Sequence, residues 1–116
     1  MGYSTYHTLS TKGATKEQDE KLLKMFEEAE DEYGKDWDWT VAEFNGVDIG
    51  ESSKWYESDE DMKILSSREE YKDVLFILDG EGESSGDIWK KYYKNGKQCE
   101  LKAKITFPEF DESQLE

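Results

Sequence analysis

His7 is the one histidine in the chain and Cys99 the one cysteine. A Ser-His-Asp triad or a Cys-His pair would have to use His7 as its base. No serine sits in an activated-nucleophile motif around it, so no catalytic set is expected, and the chain does not read as an enzyme. One cysteine and one histidine also fall short of a zinc site of usual composition. Asp59-Glu60-Asp61 and Gly80-Glu81-Gly82-Glu83 offer oxygen ligands for a hard cation, but neither has the spacing of a calcium loop. They read as a helix start and a solvated turn, and no metal or cofactor is expected. Glycines 80, 82 and 86 do not build a phosphate loop, because no Gly-Lys-Ser/Thr follows and the segment is acidic where phosphate needs positive charge. With 29 acids, carboxylate pairs arise by chance, and none is marked as a glycosidase dyad.

Those acids are the dominant feature. The 116 residues carry −14 at pH 7, from 29 acids against 15 bases. Residues 15–33 hold eight acids and three lysines, residues 43–61 seven acids and Lys54, and residues 109–116 four acids and no base. Residues 87–105 reverse the sign, with six lysines against Asp87 and Glu100. Such a field repels nucleic acid and anionic membrane and attracts basic protein surfaces.

The elements that would position these groups follow from periodicity. At 14% aromatic content, a chain with only 34% hydrophobic residues still has the material for one folded domain, expected over 1–108 with an acidic tail over 109–116. Residues 2–11 read as a strand with Tyr3, His7 and Leu9 on one face. Thr15-Lys16-Glu17-Gln18 is a capping box, and Leu22, Phe26, Ala29 and Tyr33 form a helical stripe closed by Gly34. Residues 36–44 alternate as a strand ending at Asn45-Gly46, and a further strand is expected over 51–56. Ser58 caps a second helix, with Asp59, Glu60 and Asp61 in its first turn, Met62 and Leu65 inward and an end near Glu70. Val74–Leu78 is apolar on both parities, which predicts a strand covered on both faces or at the sheet centre. Asp79–Gly86 reads as a flexible acidic loop. Asn95-Gly96 predicts a two-residue type I′ hairpin joining strands 88–94 and 97–107. The second of these puts Cys99, Leu101, Ala103, Ile105 and Phe107 on one face. The order β-α-β-β-α-β plus hairpin predicts an α+β class: a ferredoxin-like βαββαβ two-layer sandwich with a C-terminal β-hairpin extending the antiparallel sheet. The expected core is Leu22, Phe26, Ala29, Val74, Phe76, Leu101, Ile105 and Phe107.

The motifs Lys54-Trp55-Tyr56, Asp73-Val74-Leu75-Phe76, Gly80-Glu81-Gly82-Glu83, Gly86-Asp87-Ile88-Trp89 and Tyr93-Lys94-Asn95-Gly96-Lys97 span roughly the last two-thirds of the chain. They resemble a widespread family of small phage and mobile-element proteins, most of them uncharacterised. Lys72 stands where that pattern usually has a proline. The resemblance implies a mobile-element origin and a ferredoxin-like fold. By analogy with other small acidic phage proteins, it also implies inhibition of host defence, anti-CRISPR action included.

Two functions follow as expectations. In the first, the protein is a non-enzymatic acidic inhibitor that imitates nucleic acid and occupies a basic groove of a host nucleic-acid-binding protein, such as a CRISPR effector nuclease. Its contact residues would be Glu20, Glu27, Glu28, Asp31, Glu57, Asp59 and Glu60. Glu27, Glu28, Glu30, Asp31 and Glu32 crowd a helix end where the dipole disfavours them. In the second, the protein is a nucleic-acid-binding module that uses the sheet face and the basic hairpin 88–105, where Trp89, Lys90, Lys91, Tyr93 and Lys94 stack bases and neutralise phosphate. The net charge opposes direct nucleic-acid binding. The same hairpin also reads as a lysine-protected sheet edge, or as a contact for the acidic helices of another copy. The chain is expected to be a monomer or weak homodimer. The lone cysteine fits a reducing cytoplasm, the host's if the chain is phage-encoded. No signal peptide is expected from the first ten residues, and no apolar run approaches a membrane span.

Overall fold

The computed structural model describes residues 4–28, 41–50, 55, 58–104 and 106–115. Strand β1 (Thr5–Lys12) buries His7 and Leu9 on the parity expected of it. The capping box forms: the Thr15 amide donates to Gln18 Oε1 at 2.8 Å and the Gln18 amide to Thr15 Oγ1 at 3.1 Å. It opens α1 (Lys16–Glu28), whose Leu22, Met25 and Phe26 are buried. The rest of the expected helix, with Ala29 and the acids at 30–32, lies outside the described residues, as do Trp37 and Trp39.

Strand β2 (Val41–Phe44) ends at Asn45-Gly46, where φ of 48° and 87° makes the type I′ turn that an Asn-Gly pair favours. That turn leads directly into β3 (Val47–Asp48), so the strand expected over 51–56 is not β2's hairpin partner. Of that stretch only Trp55 is described, and it lies in no strand. Helix α2 (Ser58–Ser66) buries Met62 and Leu65 as expected but stops one turn early. Two serine hydroxyls take its last carbonyls: Ser66 Oγ donates to Lys63 O at 3.3 Å and Ser67 Oγ to Ile64 O at 2.7 Å. A single 3₁₀ turn, Glu69–Tyr71, follows and buries Tyr71.

Strand β4 (Leu75–Gly82) is longer than the apolar run that announces it. Asp79 to Gly82, expected to be loop, is paired on both sides, with Thr5–Thr8 of β1 and, through Glu81, with β5 (Ile88–Lys94). Strand β6 (Lys97–Lys102) closes the sheet, whose order is β3-β2-β1-β4-β5-β6. The fold is thus α+β, and the described residues form two helices and a six-stranded mixed sheet. The ferredoxin-like interleaving is replaced by direct parallel pairing of β1 with β2, where an interleaved sheet would place a strand between them. Every other neighbouring pair is antiparallel.

Both helices cover one face. Phe26 of α1 meets Phe44 at 5.2 Å between ring centroids, and the Tyr71 hydroxyl reaches Met25 Sδ. Tyr93 of β5 donates to Asp59 of α2. Leu9, Phe76, Leu78 and Tyr93 lie beneath that layer, fully buried. Among the described residues, no element covers the opposite face. Leu75 and Ile77 are therefore half-buried, and β4 is central without being covered on both sides. The two-residue hairpin sets the parity of β6: Tyr93 pairs with Gln98, which puts Cys99, Leu101 and Ala103 on the open side. Leu101 is 53% exposed and Phe107 88%, so both leave the expected core, whereas Leu22, Phe26, Val74 and Phe76 belong to it. Ile105 lies outside the described residues.

The β5–β6 turn is held by more than its own backbone. Asn95 and Gly96 have φ of 51° and 79°. Asn95 Oδ1 accepts from the Asp73 amide at 2.9 Å, and the Gly96 amide donates to Ser66 Oγ at 3.1 Å. A Cβ on Gly96 would lie 3.2 Å from that of Ser67. Gly96→Val combines a left-handed φ with that crowding and is expected to destabilise by about 1–3 kcal/mol. Amide exchange across β5 and β6 should speed up; unchanged protection would contradict the assignment.

Candidate functional site

The residues singled out for chemistry divide between a buried seam and two surfaces. In the seam, His7 is 2% exposed and lies between two indoles, with centroids 5.4 Å from Trp55 and 5.8 Å from Trp89, both edge-on. Its Nδ1 finds no hydrogen-bond partner among the described residues. Burial pushes the imidazole from 6.5 down to about 4, with the Lys91 charge adding to the shift and a Thr5 backbone contact working weakly the other way. His7 is thus a neutral core side chain, sealed from any substrate by aromatic rings.

Acids of the first turn of α2 pin both ends of the seam. Trp55 Nε1 donates to Asp61 Oδ2 at 2.8 Å. At the other end, Asp59 Oδ1 accepts from the Tyr93 hydroxyl at 2.6 Å and from Lys91 Nζ at 2.9 Å. Lys91 also lies over the Trp89 ring, 4.4 Å from its centroid, a cation–π contact. Burial raises the Asp59 carboxyl, but the Tyr93 hydroxyl and Lys91 ammonium together hold it below its ordinary value. Burial, with Asp59 beside it, raises the Tyr93 hydroxyl far above the usual phenol range. Asp59, expected among the partner-binding acids, is bonded to Tyr93 and Lys91 while its side chain stays 45% exposed. Spacing along the chain could not show this, because its partners lie 32 and 34 residues away.

The same contacts split the expected nucleic-acid surface. Trp89, Lys91 and Tyr93 point into the helix-covered side, where Tyr93 is fully buried and cannot stack a base. Lys90 and Lys94 point to the open side, and Lys90 pairs there with Asp79 at 3.5 Å. The five residues therefore do not form one surface.

Of the expected partner-binding acids, Glu20 and Glu27 on α1 and Glu60 on α2 are exposed on the outer side of the helical layer. Lysines interleave with them: Lys16 approaches Glu20 at 4.0 Å and Lys24 is exposed, so the described part of α1 is not a pure acid stripe. Glu28 is described only as helical backbone, and Asp31 and Glu57 lie outside the described residues. Elsewhere Lys21 is committed to Glu70, at 2.7 Å. Among the described residues, no cluster of three or more His, Cys, Asp or Glu side chains is arranged to hold a metal ion.

The site and fold therefore define a small α+β domain with a helical layer over one sheet face and, among the described residues, no element over the other. Comparison with family models, with curated proteins and with solved structures finds no match. Among the described residues, no helix is long and apolar enough to cross a membrane.

Proposed function

We propose that this protein is a non-enzymatic binding module that recognises a basic protein surface through the acidic outer side of its helical layer. The observation that carries this reading is the net charge of −14 on 116 residues. Part of the opposing charge of the basic hairpin is paired within the domain, Lys91 on Asp59 beneath the helical layer and Lys90 on Asp79 at the surface of the open face. Glu20, Glu27 and Glu60 point outward on one side of the sheet, where they present their charge to a partner. A groove that normally holds nucleic acid has the complementary sign. Under this reading the partner is a nucleic-acid-binding host protein, of which a CRISPR effector nuclease would be one example, and the phage-type resemblance places the encounter in the host cytoplasm.

Nucleic-acid binding by the sheet is kept as a second reading on one observation. The open face carries Tyr6 and Tyr92 with Lys90 and Lys94, so the sheet-face part of that expectation keeps two aromatics and two lysines on one side of the sheet. Its strength would rest on stacking and phosphate contact.

The test is affinity purification from bacteria that express the protein, followed by binding measurements on the recovered partner. Affinity should fall about tenfold or more from low to physiological salt, because the screening length shortens to ~8 Å. Charge reversal at Glu20, Glu27 and Glu60 should weaken binding without unfolding the domain, and reversal at Lys90 and Lys94 should change little. A gel shift with duplex DNA or RNA at low salt, lost in the lysine variant and kept in the acid variant, would select the second reading.

A further inference from the structure

The geometry points to a second surface, at the other end of the sheet from β3, and we propose that it binds a second copy of this chain. Strand β6 pairs only with β5 among the described elements. The tight hairpin and the bond from the Ala103 amide to Ile88 O at 2.8 Å fix which backbone groups of β6 point inward. Those of residues 97, 99, 101 and 103 face β5, and by the alternation of an antiparallel ladder those of Gln98, Glu100, Lys102 and Lys104 face outward. That outer edge is a template for one more strand.

A second β6 supplies that strand in one favoured register. Antiparallel pairing centred on Leu101 sets Glu100 of each copy opposite Lys102 of the other, so two opposite-charge pairs form on the helix-covered side. On the open side, Leu101 meets Leu101 of the second copy at a non-hydrogen-bonded position, where side chains approach closest. Moving the centre to Glu100 sets that carboxylate against its own copy. Moving it to Cys99 sets Glu100 opposite Gln98 and forfeits both ion pairs.

A strand edge of this length alone buries less than the ~1,200 Å² expected of a stable interface. The tail supplies the remainder. Phe107 and Phe110 are 88% and 67% exposed, and Glu109, Asp111 and Glu112 accompany them. Strand β6 itself ends at Lys102 and residues 106–110 lie in no regular element; drawn out along the second copy in the Leu101-centred register, they would bring Phe107 opposite Asn95. There the second copy has a groove of about 360 Å³ lined by Leu75, Tyr92, Lys94, Lys97 and Cys99, among others. An apolar wall for Phe107 and two lysines for the acids after it match the tail in both hydrophobicity and sign. By the two-fold symmetry, the first copy's groove takes the second copy's tail.

Light scattering and sedimentation over a range of concentrations test this. Wild type is expected to associate reversibly into dimers, and truncation after Lys104, or Phe107→Ser with Phe110→Ser, to weaken association about tenfold or more. Glu100→Lys alone and Lys102→Glu alone should each weaken it comparably, while the double exchange restores it, which no other register does. With Cys99→Ser, Leu101→Cys should form a disulfide dimer under mild oxidation, whereas the wild-type Cys99 pair, four residues out of register, should not. Circular dichroism of each variant checks folding; every position changed is exposed. A monomer at all concentrations overturns the proposal. So does a double exchange that fails to restore dimers. A monomer whose melting temperature drops on truncation also overturns it, because the tail then packs on its own sheet.

Discussion

Gly80→Val is expected to be the most damaging single substitution in the described part of the fold, with a loss of about 3 kcal/mol or more. Gly80 lies at the buried centre of β4, opposite His7 on one side and Trp89 on the other. The Trp89 indole lies against it, and a methyl built on Gly80 would overlap Cζ2 and Cε2 of the ring. A valine puts still more volume there. The backbone is fixed by ladders on both sides, so the indole has to leave. Its departure uncovers His7 and takes away the ring beneath Lys91. Urea unfolding should show the loss as a lower midpoint. Gly80→Ala should cost less in a Trp89→Ala background than in the wild type, since the ring it displaces is then absent. Equal costs in the two backgrounds would mean that the indole does not occupy that space.

This glycine also shows what the sequence could and could not reveal. Asp79-Gly80-Glu81-Gly82 has the composition of a loop, and strand propensity argues against it. Tertiary context overrides that preference: an aromatic on the next strand needs a residue without a Cβ opposite it, and two neighbours supply the ladder. Signals that are local in the chain were legible. The Thr15–Gln18 box, the Leu22–Phe26 stripe and both Asn-Gly turns each depend on residues within a few positions of one another, and each is present.

Signals set by distant partners were not legible. The alternation of Cys99, Leu101 and Ala103 is present, but which side of the sheet the helices cover is decided elsewhere, and that alternating face is exposed rather than core. Asp59 was identified correctly as a first-turn acid of α2. Its pairing with Lys91 and Tyr93, which ties its charge to the sheet and divides the basic hairpin between two faces, depends on how α2 packs on β5. The direct parallel pairing of β1 with β2 is likewise a choice between sheet orders that share one element order.

The buried imidazole leads to the second large effect, a loss of stability in mild acid. His7 titrates at 6.5 when exposed and at about 4 in the fold. Above pH 6.5 both states are neutral, and His7 adds no pH dependence. Between 6.5 and 4 the unfolded chain binds a proton that the folded chain refuses. Stability therefore falls by about 1.4 kcal/mol per pH unit, to a total of about 3 kcal/mol by pH 4. Asp59 works in a separate window. Its carboxyl is held below 3.8 in the fold, so the stability it contributes is present above that value and is lost only below it. Between 6.5 and about 4, therefore, His7 and not Asp59 supplies the pH dependence. Urea midpoints followed by the fluorescence of the tryptophans, two of which flank the imidazole, should move down between pH 7.5 and 4.5. The shift should be largely absent in His7→Phe, which keeps a ring between Trp55 and Trp89 but cannot be protonated. A wild type and variant with the same pH dependence would show that His7 is hydrated or hydrogen-bonded in solution, and the aromatic seal around it would then be wrong.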